Sequence, residues 1–242
     1  MPSRVASTGV RRHPSVDTPL KGQALTPTPF RLNRPLQLMV LWLVALWVVT
    51  AIDPLYPRDW LLENLLVFVY GVLLVATYRH FAFSNLSYGL FTVFLSLHLV
   101  GAHYTYSEVP FGFWLRDALD LSRNHYDRIV HFAFGLLLAY PMREILLRAA
   151  GLRLAWSYFM PVVTVLAFSA VYEGLEAAAA MIVSPELGAA YLGTQGDEWD
   201  APKDTQMAMT GAVVAMLVTW FARRRLRTVN GARAGSPHDA RT

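Results

Sequence analysis

Leu154 to Val183 is a run of thirty residues whose only charged members, Glu173 and Glu176, fall near its end. A helix crosses the hydrocarbon core of a bilayer in about 20 apolar residues, and only helices and closed barrels satisfy their backbone hydrogen bonds there. The run therefore reads as a transmembrane helix. Five more apolar blocks repeat the pattern: Leu36 to Ile52, Trp60 to Tyr78, Leu86 to Tyr106, a segment from Asn124 to about Arg143-Glu144, and Asp204 to Ala222. Of the 242 residues, 55% are hydrophobic, and they are gathered in blocks instead of being interleaved with charge as in a soluble domain. The expected fold class is all-α, a polytopic transmembrane bundle of about six helices with both termini cytoplasmic.

Residues 1–35 combine prolines with Ser, Thr and the basic Arg4, Arg11, Arg12, Lys21, Arg31 and Arg34, the composition of a disordered cytoplasmic tail. Residues 36–222 form the transmembrane domain, and 223–242 a basic cytoplasmic tail. The first apolar run starts late and lacks a small-x-small cleavage site, so it reads as the first span and not as a signal peptide.

Charge distribution orients the bundle, because cytoplasmic segments are enriched in Lys and Arg. With both termini inside, sixteen of the twenty-one basic residues are internal, and only Arg58, Arg116, Arg123, Arg128 and Lys203 are external. Fourteen of the seventeen acids lie on the outer side, the exceptions being Asp17, Glu144 and Asp239. The net charge of +4 thus reports topology, and no nucleic-acid partner is read from it. There are no cysteines, which excludes disulfides, thiolate metal sites and cysteine nucleophiles. No Walker lysine loop, dinucleotide glycine motif, Gly-x-Ser-x-Gly elbow, HExxH pair or EF-hand order occurs.

The polar residues inside the apolar blocks are the functional signal. Asn124 to His131 sets His125, Asp127, Arg128 and His131 at the mouth of the fourth span, with Asp127 and His131 four apart and hence on one helical face. At about 1.5 Å per residue, His131 lies roughly 10 Å down this helix, and Glu173 and Glu176 fall at the outer end of the fifth. His98 and His103 belong to the outer end of the third, Asp200 and Asp204 to the outer start of the sixth. All are expected in the outer third of the bilayer, facing one another, since each ionisable group in hydrocarbon is costly unless paired or wetted.

Two readings follow. In one the groups form a site open to the outer face. Asp127, His131 and Glu173 are then the candidate catalytic residues, and His131, Glu173, Glu176, Asp200 and Asp204 the candidate ligands of a divalent metal. His103, His125, Arg128 and Asp197 complete the polar surroundings. In the other, Arg128 or Arg123 neutralises Glu173 or Asp127 and the network only pins the helices together. Isolated histidines such as His98 and His80 read as packing residues. The Glu108 to Arg123 loop carries an aromatic patch, Phe111, Phe113 and Trp114, suited to the membrane surface.

Several motifs in one order resemble the YjdF-like family of bacterial inner-membrane proteins, a family of unknown function. They are His103-Tyr104-Thr105-Tyr106, Asn124-His125-Tyr126-Asp127-Arg128 with His131-Phe132 and Gly135, and Arg143-Glu144. Glu173 with Glu176, and Gly193-Thr194-Gln195-Gly196-Asp197 with Trp199-Asp200 and Asp204, complete the set. The resemblance spans about Leu36 to Ala222 and implies a six-span inner-membrane protein. The Asp, Arg and His pattern at helix ends is also distantly similar to VanZ-like membrane proteins, some linked to resistance against lipophilic antibiotics. The expected role is binding, or metal-assisted ester or phosphoester hydrolysis, of a lipid-linked or amphiphilic molecule in the outer leaflet, with membrane lipid as its setting. A small transporter or proton-coupled permease and a non-catalytic envelope protein are the alternatives, and the nearly apolar inner halves of the helices count against transport.

Overall fold

The computed structural model describes residues 28–182, 188, 192 and 194–234. The expected N-terminal tail as far as residue 27, most of the Ser184 to Gly193 segment and the last eight residues lie outside them. Among the described residues every regular element is helical. After a single 3-10 turn at Phe30–Leu32, the helices are α1 (Arg34–Thr50), α2 (Pro57–Thr77), α3 (Asn85–Tyr104), α4 (Pro110–Leu119), α5 (Tyr126–Arg148), α6 (Trp156–Ile182) and α7 (Asp200–Ala234).

Five of these, α2, α3, α5, α6 and the Asp200–Leu226 part of α7, are long and apolar enough to cross a membrane. The seventeen residues of α1 span about 25 Å, at the lower limit of about 17 residues for a crossing. The six-helix expectation stands, with α1 its short member. Their outer faces are apolar, for example Val72 and Val75 on α2 and Met181 and Ile182 on α6, which are 68–84% exposed. Such side chains face lipid, where exposure carries no hydrophobic penalty.

The helix boundaries depart from the sequence reading in physically specific ways. α3 stops at Tyr104, two residues early, because Thr105 and Tyr106 take left-handed backbone angles (φ 55° and 51°). This turn folds Tyr106 back beneath Gly101, where a Cβ would meet its ring at 2.7 Å. The expected Glu108 to Arg123 loop is largely helix: α4 has Pro110 at its start and a left-handed stop at Asp120, and it exposes the stacked rings of Phe111 and Trp114, 5.6 Å apart. Asp200 to Lys203 are the first turn of α7, and that helix continues through the arginine run to Ala234.

Two cores organise the bundle. Tyr88, Phe91, Phe94 and Leu95 of α3 pack with Leu36 of α1 and with Tyr126, Val130 and Leu138 of α5. The second core is built of small residues, with Ala139 of α5 and Val165 of α6 against Ala208, Ala212, Ala215 and Met216 of α7. Here the backbones nearly touch. A Cβ on Gly135 would lie 1.8 Å from the Ala208 carbonyl oxygen, and one on Gly211 2.1 Å from that of Phe132. Small residues at helical spacing allow this approach in lipid, where close packing replaces the hydrophobic drive between helices.

The charge asymmetry makes an accessibility prediction. Exposed Glu108 precedes α4, and exposed Ala150 follows α5. In this cysteine-free chain, Glu108→Cys is expected to react with an impermeant maleimide applied from the periplasmic side, and Ala150→Cys only after permeabilisation. The reverse pattern would invert the topology.

Candidate functional site

The entrance to α5 is fixed by Asn124. Its side-chain oxygen accepts from the Tyr126 N–H at 3.0 Å, and its amide donates to the Val109 carbonyl at 3.0 Å. Gln195 grips its backbone from both sides, with Oε1 accepting from Asn124 N at 3.1 Å and Nε2 donating to Asn124 O at 2.9 Å. The Thr194 to Asp197 turn is thereby tied to the start of α5. Gly112 sits so close that a Cβ there would overlap the Asn124 side chain at 1.7 Å.

That clamp aligns two arginines with the acids of α7. Arg123 donates to Asp200 Oδ1 at 2.7 Å and to the Thr194 carbonyl at 2.8 Å. Arg128 reaches Asp200 Oδ1 at 2.5 Å, Asp197 at 3.0 Å and Asp204 Oδ1 at 3.1 Å. Lys203 closes on Asp197 at 2.7 Å. The hydrogen bond from Lys203 holds the Asp197 carboxyl below its usual range. Half-buried His125 is held below the ordinary imidazole range by burial, then by Arg123 and Arg128. The arginines therefore answer the aspartates of α7 and not Glu173 or Asp127, which corrects the pairing expected for a purely structural network.

One turn deeper, His131 Nε2 lies 3.4 Å from Asp127 Oδ1 and 3.6 Å from Glu173 Oε1. Asp127, His131 and Asp204 bring ligand-type atoms within 4.8 Å of one another. Asp204 is 2% exposed. Its Oδ1 lies near Arg128 Nε without a well-directed hydrogen bond, and Glu173 Oε1 is likewise buried without a hydrogen-bond partner. Asp200, by contrast, is taken up by two guanidinium groups.

A third group lies beside these on α2, α3 and α6. Glu63 is 2% exposed, and its Oε2 accepts from the Tyr172 hydroxyl at 3.2 Å. Tyr172 also meets Glu176. His98 Nε2 is 3.1 Å from the Glu63 carbonyl, and its Nδ1 is 2.6 Å from the Tyr106 hydroxyl. A carbonyl can only accept, so in the neutral ring Nε2 carries the proton and Tyr106 donates to Nδ1. Burial, then the charges of Glu63 and Asp127, keeps the Tyr106 hydroxyl protonated far above its normal range. Asp59, 1% exposed, is hydrogen-bonded by Thr105.

Acidic groups outnumber basic ones at this end of the bundle. Arg123, Arg128 and Lys203 match Asp197, Asp200 and Asp204, three against three. Five further acids remain, Asp59, Glu63, Asp127, Glu173 and Glu176, with His131 as their one nearby candidate cation among the described residues once His98 is neutral. Next to them runs a groove of about 410 Å³ between α2 and α6. Its walls are Leu66, Val69, Leu73, Phe168, Val171 and Leu175, and its polar end is formed by Asp127, His131 and Glu176 with His98 and Tyr106.

A family model described as "Predicted membrane protein (DUF2238)" matches residues 35–225. The chain belongs to this family. It is 37% identical over 189 residues to the inner membrane protein YjdF of Escherichia coli (strain K12), an alignment covering 77% of this chain and 90% of that protein. No solved structure matches. The DUF2238 match covers α1 from its second residue and the five span-length helices up to residue 225, and the chain is a multi-pass inner-membrane protein.

Within this DUF2238 chain, the residues singled out from sequence are not all gathered together. His131, Asp127, Glu173 and Asp204 meet, Glu176 borders the groove, and Arg128, Asp197 and Asp200 form the adjoining ion-pair group. His103 does not join them: its Nδ1 pairs with the Thr50 carbonyl at 3.0 Å, and its ring stands edge-on to Tyr104. Sequence reasoning missed Asp59, Glu63 and Tyr172, and took His98 for a packing residue. An acid within two turns of a span's start is also what an ordinary interfacial residue looks like, and only the burial of Glu63 separates the two.

Proposed function

We propose that the outer end of this bundle is a binding site for an amphiphilic molecule, lipid or lipid-linked, whose polar head is held through a divalent cation by Asp127, His131 and Asp204. The observation that carries this reading is an apolar groove ending on Asp127, His131 and Glu176, where neither acid pairs with a lysine or arginine among the described residues, beside Asp204, which Arg128 meets only by a poorly directed contact. A tail along Val69, Leu73 and Phe168 would stay in a lipid-like environment while the head reaches the acids. His and carboxylate oxygens suit a borderline or hard divalent ion. Such an ion holds its donors about 3 to 4 Å from one another, so the trio closes with small side-chain rotations. In a hydrolytic version Asp127, His131 and Asp204 would hold the cation, which would supply Lewis-acid polarisation of an ester or phosphoester oxygen, while Glu173, beside His131, would take the proton of the attacking water and return it to the departing alkoxide as the ester bond breaks.

The test is metal content and chelation. The purified protein is expected to carry about one equivalent of divalent metal, and chelator is expected to lower its melting temperature by several degrees. An ion present at a hundred times its Kd contributes about 2.7 kcal/mol. Asp204→Asn and His131→Gln should abolish that sensitivity, while Glu108→Gln should keep it. Metal-free protein indifferent to chelator would end the cation-bridged reading. Leu175→Trp, which fills the groove, should reduce co-purified lipid measured by mass spectrometry without changing metal content.

A second reading, a proton relay, is favoured by the Glu63, Tyr172 and Glu176 contacts. Glu63→Gln would then abolish proton-coupled uptake in vesicles, whereas the amphiphile site needs no such coupling. Along α5, α6 and α7 no Asp, Glu, His, Lys or Arg lies between this cluster and the Arg143, Glu144 and Arg223 group at the other end, a gap that an outer-leaflet site tolerates and a proton path does not.

A further inference from the structure

At the opposite end of the bundle, α5, α6 and α7 carry two arginines that no acid among the described residues answers. Arg143 of α5 is 5% exposed. Its guanidinium lies over the ring of Tyr158 on α6, 4.6 Å from the centroid, yet Nε and Nη2 have no hydrogen-bond partner. The strongest charge acting on it is another positive one, Arg223 of α7, whose buried Nη1 is also unpartnered. Neither arginine forms an ion pair among the described residues. Glu144, the next residue in the chain, is turned away: it accepts from Ser84 N at 2.8 Å, Ser84 Oγ at 2.9 Å and Ser87 Oγ at 2.5 Å, and pairs with Arg148.

Two like charges near enough to oppose each other, each with a buried unmet donor, are unfavourable unless an anion joins them. We propose that Arg143 and Arg223 hold a phosphate-class anion, such as the headgroup of an acidic phospholipid in the cytoplasmic leaflet. Guanidinium groups match phosphate oxygens through paired N–H donors. The Tyr158 hydroxyl accepts from Arg143 and helps fix its guanidinium. Arg223 is only partly buried, which gives the ligand its access. The position suits a lipid. The charge asymmetry assigns this end to the cytoplasm, Arg224 beside it stacks on Trp220 at 3.9 Å, and basic pockets between helices on that side recognise acidic headgroups.

Full-length protein, delipidated in a neutral detergent without phosphate, provides the test. Phosphatidylglycerol should raise its melting temperature by several degrees, and phosphatidylcholine should not. Inorganic phosphate, against chloride at equal ionic strength, distinguishes the source: a response to phosphate as large as that to phosphatidylglycerol would assign the site to a soluble anion. Arg143→Met should be at least as stable as wild type without lipid and should lose the response. Arg223→Gln, at the more exposed position, should weaken binding at least tenfold. Arg224→Gln and Arg225→Gln, on exposed side chains, should retain most of it. The proposal is overturned if neither anion stabilises the wild type, if Arg143→Met and Arg223→Gln respond like wild type, or if only the Arg224 and Arg225 changes matter.

Discussion

Arg128→Gln is expected to destabilise the protein by about 3–5 kcal/mol, the usual effect of removing one partner from a buried ion-pair group. The guanidinium touches Asp197, Asp200 and Asp204. Arg123 remains to hold Asp200, so the loss falls on Asp204, 2% exposed, which loses its one arginine contact. Adding Asp204→Asn should therefore recover part of the loss, a coupling that distant sites would not show. Denaturant or thermal unfolding of the detergent-solubilised single and double variants measures both. A loss under about 1 kcal/mol would place the network among weak, wetted surface pairs.

Gly135→Ala and Gly211→Ala should each cost about 3 kcal/mol or more, at or beyond the upper end of ordinary overpacking. The added methyl would meet backbone, not a side chain that can rotate away. The oxygens of Ala208 and Phe132 lie 1.8 and 2.1 Å from the two Cβ positions, so α5 and α7 must separate. The same movement draws Asp200 and Asp204 away from Arg128 and His131, so the Arg128 ion pairs should weaken together with the helix contact. The double variant is expected to be less harmful than the sum, since one separation accommodates both methyls. Wild-type melting temperatures for either glycine variant would show that this contact is looser than described.

Much of the architecture is legible from the length of the apolar runs. Thirty residues with charge only at one end, as in Leu154 to Val183, leave little choice, and α6 follows that run from Trp156 to Ile182. Depth arithmetic along separate helices also brings His131 to the level of Glu173, and the two lie 3.6 Å apart. Depth, however, says nothing about rotation around a helix axis. His103 has a suitable depth, yet it points to the Thr50 carbonyl. Glu63 reads as an interfacial acid until α2 is seen to turn it inward against Tyr172 and His98. The pairing of Arg128 with α7 depends on a backbone approach at Gly135 and Gly211, for which a sequence supplies only the small residues and not their partner. The left-handed pair at Thr105 and Tyr106 leaves no mark either, since neither residue type favours that geometry.

The second helix has one further property. Its three fully buried residues, Asp59, Glu63 and Asn64, are all polar and all lie in its first eight positions. They are fastened there: Asn64 accepts from the Trp47 indole at 2.7 Å, Glu63 from Tyr172, and Asp59 from Thr105. Beyond them α2 leans chiefly on α3 and stands apart from α6 along the groove. Mechanically it is a cantilever, anchored by polar contacts at the chemical end and supported along one side beyond it by Val67, Tyr70 and Leu74. A lean of this one helix would alter the width of the groove without touching the glycine contact of α5 and α7.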